Sequence, residues 1–172
     1  MFTLEDIKAK YKDIIPVPIV QIAKDLGIKI IETDEFEKTQ SGSITRHADG
    51  FVIYLNRKNS PKRKRFTIAH EIAHFLKHRS YLNAIQEHID DDKTAFQYPS
   101  LNRMEDQGGL SEDAQKRECE ANKIAAELLM PEARFKEVWE ESSNLDEVAD
   151  RFDVSTSAAS LRAKELIGIY VV

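Results

Sequence analysis

The sequence predicts an α+β fold in which a small, mostly antiparallel sheet packs against one long helix. Three short runs that are suited to β-strands come early in the chain, at about 28–33, 41–46 and 51–56. A longer segment with helical signals and many apolar residues follows at about 61–78. Strands that precede a long helix in this way are typical of an α+β arrangement.

The composition is that of an ordinary globular protein. The 172 residues are 41% hydrophobic and carry a formal net charge of −5, so we do not expect the protein as a whole to bind polyanions. The single cysteine, Cys119, cannot form an internal disulfide, which fits a reducing compartment. We see no apolar run suited to a membrane span or a signal peptide, and we expect a cytoplasmic protein.

The elements before the long helix have local start and stop signals. Residues 3–14 are amphipathic, and the sequence PVPIVQIAKDLG predicts a short helix that ends at Gly27 in the left-handed conformation. Asp49 and Gly50 predict a turn between the second and third strands. We expect a core of residues 1–130, followed by a C-terminal helical region of residues 131–172.

The long helix carries the pattern HExxH, formed by His70, Glu71 and His74. Ser60 is the predicted N-cap, and Pro61 stands in the first turn, where a proline is tolerated. Residues four apart on a helix lie on one face about 6 Å apart at Cβ, so both imidazoles can bind one metal ion. The alternative interpretation is a pair of core histidines with other partners.

Glu71 directly follows the first of these histidines. Its carboxylate is therefore expected beside the open position of the metal, where it can accept a proton from water. A catalytic zinc ion needs a few nitrogen, sulfur or oxygen ligands and one position for water. The sequence thus predicts one zinc ion per chain, with His70 and His74 as ligands and Glu71 as the base.

His78 requires a separate interpretation, because it extends the pattern to HExxHxxxH. His70 and His78 are eight residues apart, about 12 Å along a continuous helix, so both cannot bind one ion. Lys77 stands where HExxHxxGxxH proteins have the glycine that turns the chain. We interpret His78 as a residue at the helix C-terminus that supports the site through a partner, and His47 and His88 as incidental.

Residues 57–65, RKNSPKRKR, hold six basic side chains among nine residues. Cations at a helix N-terminus oppose the helix dipole, so another interaction is expected to favour them. One hypothesis is contact with an acidic partner or with nucleic acid. A solvated, solubilising face is favoured, because no aromatic residues for base stacking are interleaved with the charges.

Residues 80–110 are longer than the usual connection within a compact domain. They combine a partial helical pattern with the acidic run Asp90–Asp92. Two interpretations remain open, a lid over the site and a surface excursion.

The third metal ligand is predicted on a helix at about 111–130, which Ser111 caps. The helical period places Glu118 and Asn122 on one face with small alanines, which predicts an inward-pointing ligand; the alternative for Glu118 is a salt bridge at the rim of the core. Glu120 lies on another face and is expected to be solvated or to support a ligand. Cys119 points away from the ligand face.

The C-terminal region has the pattern of a helix-turn-helix. Trp139 is expected to pack in the core, and a turn at Asp153-Val154 with a Ser155 cap separates two helices. Few polar side chains of the second helix could face bases, and acidic residues dominate the first. We favour a structural or protein-contacting helix pair over a DNA reader. The second helix offers Ser157, Ser160, Arg162 and Lys164.

Two blocks, RFTIAHEIAHFLKH at 65–78 and ECEANKIAAELLMP at 118–131, resemble the ImmA/IrrE family of zinc metallopeptidases. The resemblance implies a gluzincin-like fold in which Glu118 completes the metal site and Asn122 supports it. Ile124 stands where the family commonly has Phe. Family members act as anti-repressors that cleave a helix-turn-helix repressor, often on mobile elements or in stress responses, and the resemblance implies this function here.

The sequence says less about two other parts of such a reaction, the group that stabilises the oxyanion and the surface that binds the substrate. Tyr98, His88 and Tyr54 are candidates for the group that stabilises the oxyanion, and nothing in the sequence chooses among them. An extended substrate is expected to add to an exposed strand edge, with 51–56 as the candidate.

Two other classes of function stay open at this stage. One is a zinc-containing binding module that sequesters a repressor without cleaving it. The other is a DNA-binding regulator that uses the C-terminal helices and the basic run.

Overall fold

The computed structural model describes residues 2–84 and 111–168, together with the backbone of 87–91. The secondary structure has the predicted α+β character. The strands are β1 (Lys29–Thr33), β2 (Gln40–His47), β3 (Gly50–Asn56) and β4 (Glu87–Asp91). The helices are α1 (Leu4–Tyr11), α2 (Ile19–Asp25), α3 (Pro61–Lys77), α4 (Arg79–Ala84), α5 (Glu112–Leu129), α6 (Glu132–Ser142), α7 (Leu145–Phe152) and α8 (Thr156–Ile167).

The four strands form one mixed sheet in the order β1-β3-β2-β4. β1 pairs with β3 in parallel, whereas β2 pairs antiparallel with both β3 and β4, so the predicted mostly antiparallel sheet is confirmed. β3 is hydrogen-bonded on both sides. The hypothesis that a substrate adds to the edge of 51–56 is therefore wrong, because the edge strands are β1 and β4.

β4 was not predicted, since it lies within the segment 80–110 that the sequence left unassigned. Its sequence, EHIDD, has one β-branched apolar residue among acidic ones, which gives almost no local strand signal. Pairing with β2 forms this strand, so its formation depends on tertiary context. Residues 92–110, for which the lid and the surface excursion remained open, lie outside the described residues.

One face of the sheet packs on α3. Phe51 of β3 and Phe75 of α3 meet edge to face, with ring centroids 5.1 Å apart. Gly42 of β2 allows the close approach, because a Cβ there would lie 2.6 Å from Thr67 Cγ2 of α3 and 2.7 Å from the backbone oxygen of Tyr54. α5 packs along another side of α3, so the central helix is enclosed by the sheet and a second helix.

The predicted helix boundaries are confirmed by their capping groups. The Ser60 side chain accepts a hydrogen bond from the backbone N–H of Arg63, and Ser111 does the same for Ala114. Gly27 has φ +73°, the left-handed conformation expected after α2. These local signals explain why α2, α3 and α5 begin and end close to the predicted positions.

The C-terminal helices share the hydrophobic core of the rest of the chain. Phe135, Val138 and Phe152 are fully buried in the same cluster as Ile72 of α3. Trp139 stacks on Phe135, as expected of a residue that packs against the core. The division into 1–130 and 131–172 stays a prediction.

The basic residues of 57–65 have partners on distant elements. Lys62 pairs with Asp150 of α7 at 2.6 Å, and Lys64 pairs with Glu32 of β1 at 2.9 Å. Arg63 donates to the Ser41 hydroxyl of β2. Several of these basic side chains therefore form ion pairs or hydrogen bonds within the protein. These contacts explain the basic run better than binding to nucleic acid does.

The helix-turn-helix pattern is present as α7, a turn at Asp153 and α8. Asp153 has φ 52°, and the Ser155 side chain accepts from the backbone N–H of Ala158. Arg162 was one of the residues that could contact DNA bases according to the sequence. It is only 3% exposed, and its guanidinium donates to the Met130 carbonyl. This placement favours the structural interpretation of the helix pair. None of the helices in the described part of the chain is long and apolar enough to cross a membrane.

Candidate metal centre

The predicted metal-binding residues come together between α3 and α5. His70, Glu71 and His74 of α3 are all fully buried, and the Glu118 side chain of α5 is 12% exposed. The helical spacing of four places the two imidazoles on the same face of α3. The small Ala121 and Ala125 of α5 are fully buried. Glu118 reaches both histidines from the neighbouring helix.

The donor atoms have the spacing that one metal ion requires. His70 Nε2 and His74 Nε2 are 3.0 Å apart. Glu118 Oε2 lies 3.2 Å from His70 Nε2, and its Oε1 lies 3.4 Å from His74 Nε2. Tetrahedral zinc with bonds of about 2.0–2.2 Å separates its ligand atoms by about 3.3–3.6 Å. The two imidazoles and one carboxylate therefore fit a zinc-type site without large movements.

Asn122 supports the first histidine. Its Oδ1 lies 2.8 Å from His70 Nδ1, and the Asn122 side chain is almost completely buried. Because the Nε2 of His70 faces the metal position, its proton belongs on Nδ1, where it is donated to the amide oxygen. The helical period correctly placed Asn122 on the same face of α5 as Glu118.

The second histidine has a different kind of support. His74 Nδ1 lies 3.0 Å from His78 Nδ1, and His78 Nε2 lies 3.0 Å from Glu120 Oε2. His78 thus contacts the back of a candidate ligand and does not join the metal group, as the distance argument predicts. The sequence left open whether Glu120 is solvated or supports a ligand, and the structure shows that it is half exposed and bonded to His78.

Glu118 is held in its charged form. Burial raises the pKa of its carboxyl, but hydrogen bonds from the Nε2 atoms of His70 and His74 in their protonated, metal-free form, together with their charges, outweigh burial and hold the pKa well below its ordinary value. A carboxylate that stays ionised is the form that binds a metal ion. Cys119, next in sequence, has a pKa raised by burial and by the Glu118 charge, which does not favour a reactive thiolate.

The comparison with protein families agrees with this geometry. Residues 23–164 match the IrrE N-terminal-like domain, a family of peptidases. The chain belongs to this family. The match includes the strands, the candidate metal centre and most of the C-terminal helices, so the resemblance of the two sequence blocks to ImmA/IrrE proteins is confirmed.

The fold of this IrrE-like chain is also found among solved structures. One similar structure is a Mycobacterium tuberculosis transcriptional regulator, with a TM-score of 0.57 and 20% sequence identity. The similarity covers 85% of this chain and 40% of that regulator, so the chain spans less than half of the length of that protein. No curated protein matches the sequence.

In this IrrE-like chain, Tyr54 does not lie at the candidate metal centre. Side chains alternate along a strand, so Tyr54 lies on the sheet face opposite to Phe51, whose ring contacts α3. Its hydroxyl instead lies 3.2 Å from His47 Nε2. His88 lies opposite Ile44 in the pairing of β4 with β2, and its side chain, like the whole of Tyr98, is outside the described residues.

Proposed function

We propose that this protein is a zinc-dependent endopeptidase that cleaves a helix-turn-helix transcriptional repressor. The observation that carries the proposal is the convergence of His70, His74 and Glu118, whose donor atoms all lie within 4.8 Å of one another. Glu71, the residue after the first histidine, is buried in the same helix. Membership of the IrrE-like peptidase family supports the same reaction.

Each side chain has a distinct role in the proposed reaction. His70, His74 and Glu118 would hold one zinc ion, which supplies Lewis-acid chemistry at neutral pH when it is bound. Glu71 accepts a proton from the attacking water and later donates it to the leaving amine. Burial of Glu71 removes competing water from its carboxylate and strengthens its interactions with charge that develops in the reaction.

The choice of a repressor as the substrate rests on the resemblance to ImmA/IrrE anti-repressors. The similar mycobacterial structure is named as a transcriptional regulator, and this name supports the proposal of a role in gene regulation. Direct DNA reading by this chain is less well supported, because Arg162 is buried and Lys62 and Lys64 are ion-paired within the protein. A protein partner is thus the favoured target.

The deciding experiment is intact-mass analysis of a helix-turn-helix repressor encoded beside this gene, co-expressed with the wild type or with Glu71→Gln. We expect two repressor fragments with the wild type and none with Glu71→Gln, which keeps the three ligands but has no carboxylate base. Glu127→Gln, a change on the α1-facing part of α5, is the matched control and should cleave normally.

Two results would contradict the proposal. Equal cleavage by the wild type and Glu71→Gln would remove Glu71 from the mechanism. An intact repressor in both strains, together with a stable complex and bound zinc, would favour sequestration of the repressor by a binding module.

A further inference from the structure

We propose that His78 and Glu120 are positioning residues that hold the metal ligand His74 in one tautomer and one orientation. The inference rests on the proposed metal site, because His74 is one of its three ligands. It concerns two side chains that lie behind the ligand and do not face the metal position. Its distinguishing feature is a hydrogen-bonded chain, from Glu120 through His78 to His74, that joins the surface of α5 to the buried site.

Both ring nitrogens of His78 take part in this series of hydrogen bonds. Its Nδ1 lies 3.0 Å from His74 Nδ1, and its Nε2 lies 3.0 Å from Glu120 Oε2. His74 is fully buried and His78 is 9% exposed, whereas the Glu120 side chain is 52% exposed. The imidazole of His78 is therefore hydrogen-bonded at both nitrogens, on the inner side to a buried imidazole and on the outer side to a half-exposed carboxylate.

Metal binding by His74 determines where the protons lie along this series of hydrogen bonds. When His74 binds a metal through Nε2, its single proton must lie on Nδ1, and this N–H must be donated to an acceptor. His78 Nδ1 can accept it only if the proton of His78 lies on Nε2. That proton is then donated to the Glu120 carboxylate, so each nitrogen and oxygen has a consistent role.

Glu120 selects this arrangement. A neutral imidazole has two tautomers, and the one with the proton on His78 Nδ1 would direct two N–H groups at each other across 3.0 Å. An ionised carboxylate accepts hydrogen bonds and donates none, so it stabilises the tautomer that leaves His78 Nδ1 as an acceptor. Glu120 thus acts on the metal site through His78, without contacting His74.

The two histidine ligands differ in the group that accepts the hydrogen bond from their Nδ1. His70 donates to the neutral amide oxygen of Asn122, which is buried. His74 donates to an imidazole that is itself backed by a carboxylate. Hydrogen bonding of this kind raises the basicity of a ligating imidazole and fixes its orientation, and the loss of such a partner costs about 10–100-fold in metal affinity.

The test measures zinc affinity of the full-length protein by competition with a chelator, and the visible spectrum of the Co²⁺-substituted protein. We expect His78→Phe, which keeps an aromatic ring but has no acceptor, to weaken zinc binding by about 10–100-fold and to change the Co²⁺ bands. His78→Asn, whose amide oxygen can occupy the position of Nδ1, should recover most of the affinity.

Glu120→Ala provides a second variant whose folding is not in question, because the side chain is half exposed. It should weaken zinc binding in the same direction, whereas the matched control Glu127→Ala, an ion-paired carboxylate farther along α5, should bind like the wild type. The double variant His78→Phe with Glu120→Ala should bind no worse than His78→Phe alone, since Glu120 acts only through His78.

The outcomes separate this inference from the proposed function. Wild-type affinity and an unchanged Co²⁺ spectrum in both His78→Phe and Glu120→Ala would overturn the inference and leave the metallopeptidase intact. Additive losses in the double variant would also overturn it, because the two residues would then act independently. A wild-type protein that binds no zinc would overturn the proposed function and this inference together.

Discussion

His70, Glu71 and His74 are ionisable side chains without exposed surface, and their burial has a cost that their partners must offset. A polar group removed from water without a hydrogen bond loses about 2–7 kcal/mol, depending on the reference state. Asn122 and His78 each contact one histidine through Nδ1. Both Nε2 atoms then face Glu118, so the direction of each ring is set by the residue behind it.

Asp25 shows how a single carboxylate makes stability depend on pH. It accepts hydrogen bonds from Lys10, Tyr11 and Gln21, and it thereby joins the end of α2 to the end of α1. These hydrogen bonds, of which that from Lys10 is the largest contribution, hold the pKa of Asp25 well below its ordinary value of 3.8. Stability from a lowered pKa is present above the unfolded-state value and is lost as the pH falls through the folded-state value.

We therefore expect Asp25→Asn to lower the melting temperature at pH 7 and to lower it progressively less below about pH 4. Thermal unfolding followed by circular dichroism at pH 7, 4 and 3 would measure this difference. Asp13→Asn removes the same charge from an exposed position two residues after α1 and serves as the control. A constant difference between Asp25→Asn and the wild type at all three pH values would contradict the linkage.

At the scale of elements, Arg65 connects three parts of the fold. From the first half of α3 its guanidinium donates to the carbonyl of Val17, before α2, and to the carbonyl of Asp153, in the turn between α7 and α8. It also pairs with the Asp153 carboxylate at 3.1 Å, and its side chain is 17% exposed. Burial lowers the pKa of Arg65, whereas the charge of Asp153 opposes that effect.

Arg65→Met should lower the free energy of unfolding by about 1–3 kcal/mol, because it removes the hydrogen bonds and the ion pair that a partly buried guanidinium makes. Urea denaturation would measure the loss. Arg57→Met is the matched control from the same basic run, because Arg57 pairs with Asp34 where both side chains are more than half exposed. Loss of that surface pair should cost about 0–1 kcal/mol. Equal effects of the two changes would refute a connecting role for Arg65.

At the scale of the whole molecule, the C-terminal helices and the rest of the described chain bury their apolar side chains in one cluster. Phe135 and Phe152 of the C-terminal helices belong to the same cluster as Ile53 of the sheet and Ile72 of α3. Residues that share a core lose their contacts together when one part unfolds. The family match, over residues 23–164, likewise spans both parts.

We expect the chain to unfold in one cooperative transition. Trp139, the single tryptophan, lies in α6 and reports on the C-terminal helices, whereas far-UV circular dichroism reports on all elements. The two denaturation curves should coincide within error in metal-free buffer. An earlier Trp139 transition would show instead that residues 131–172 form a separately unfolding unit.

The sequence by itself determined the features that depend on residues close together along the chain. A spacing of four on a helix places His70 and His74 together wherever the helix lies, and the same period separates the faces of Glu118 and Glu120. Caps such as Ser60 and turn residues such as Gly27 act within a few residues, so the helix ends were also predictable.

Only the tertiary structure decided which distant segments meet. Strand order depends on pairing between segments far apart in the chain, so the inner position of β3 and the existence of β4 were not accessible from local patterns. The partners of the basic run and the chain from Glu120 through His78 to His74 were undetermined for the same reason. Periodicity shows which face a side chain occupies, and packing of the whole chain decides what that face contacts.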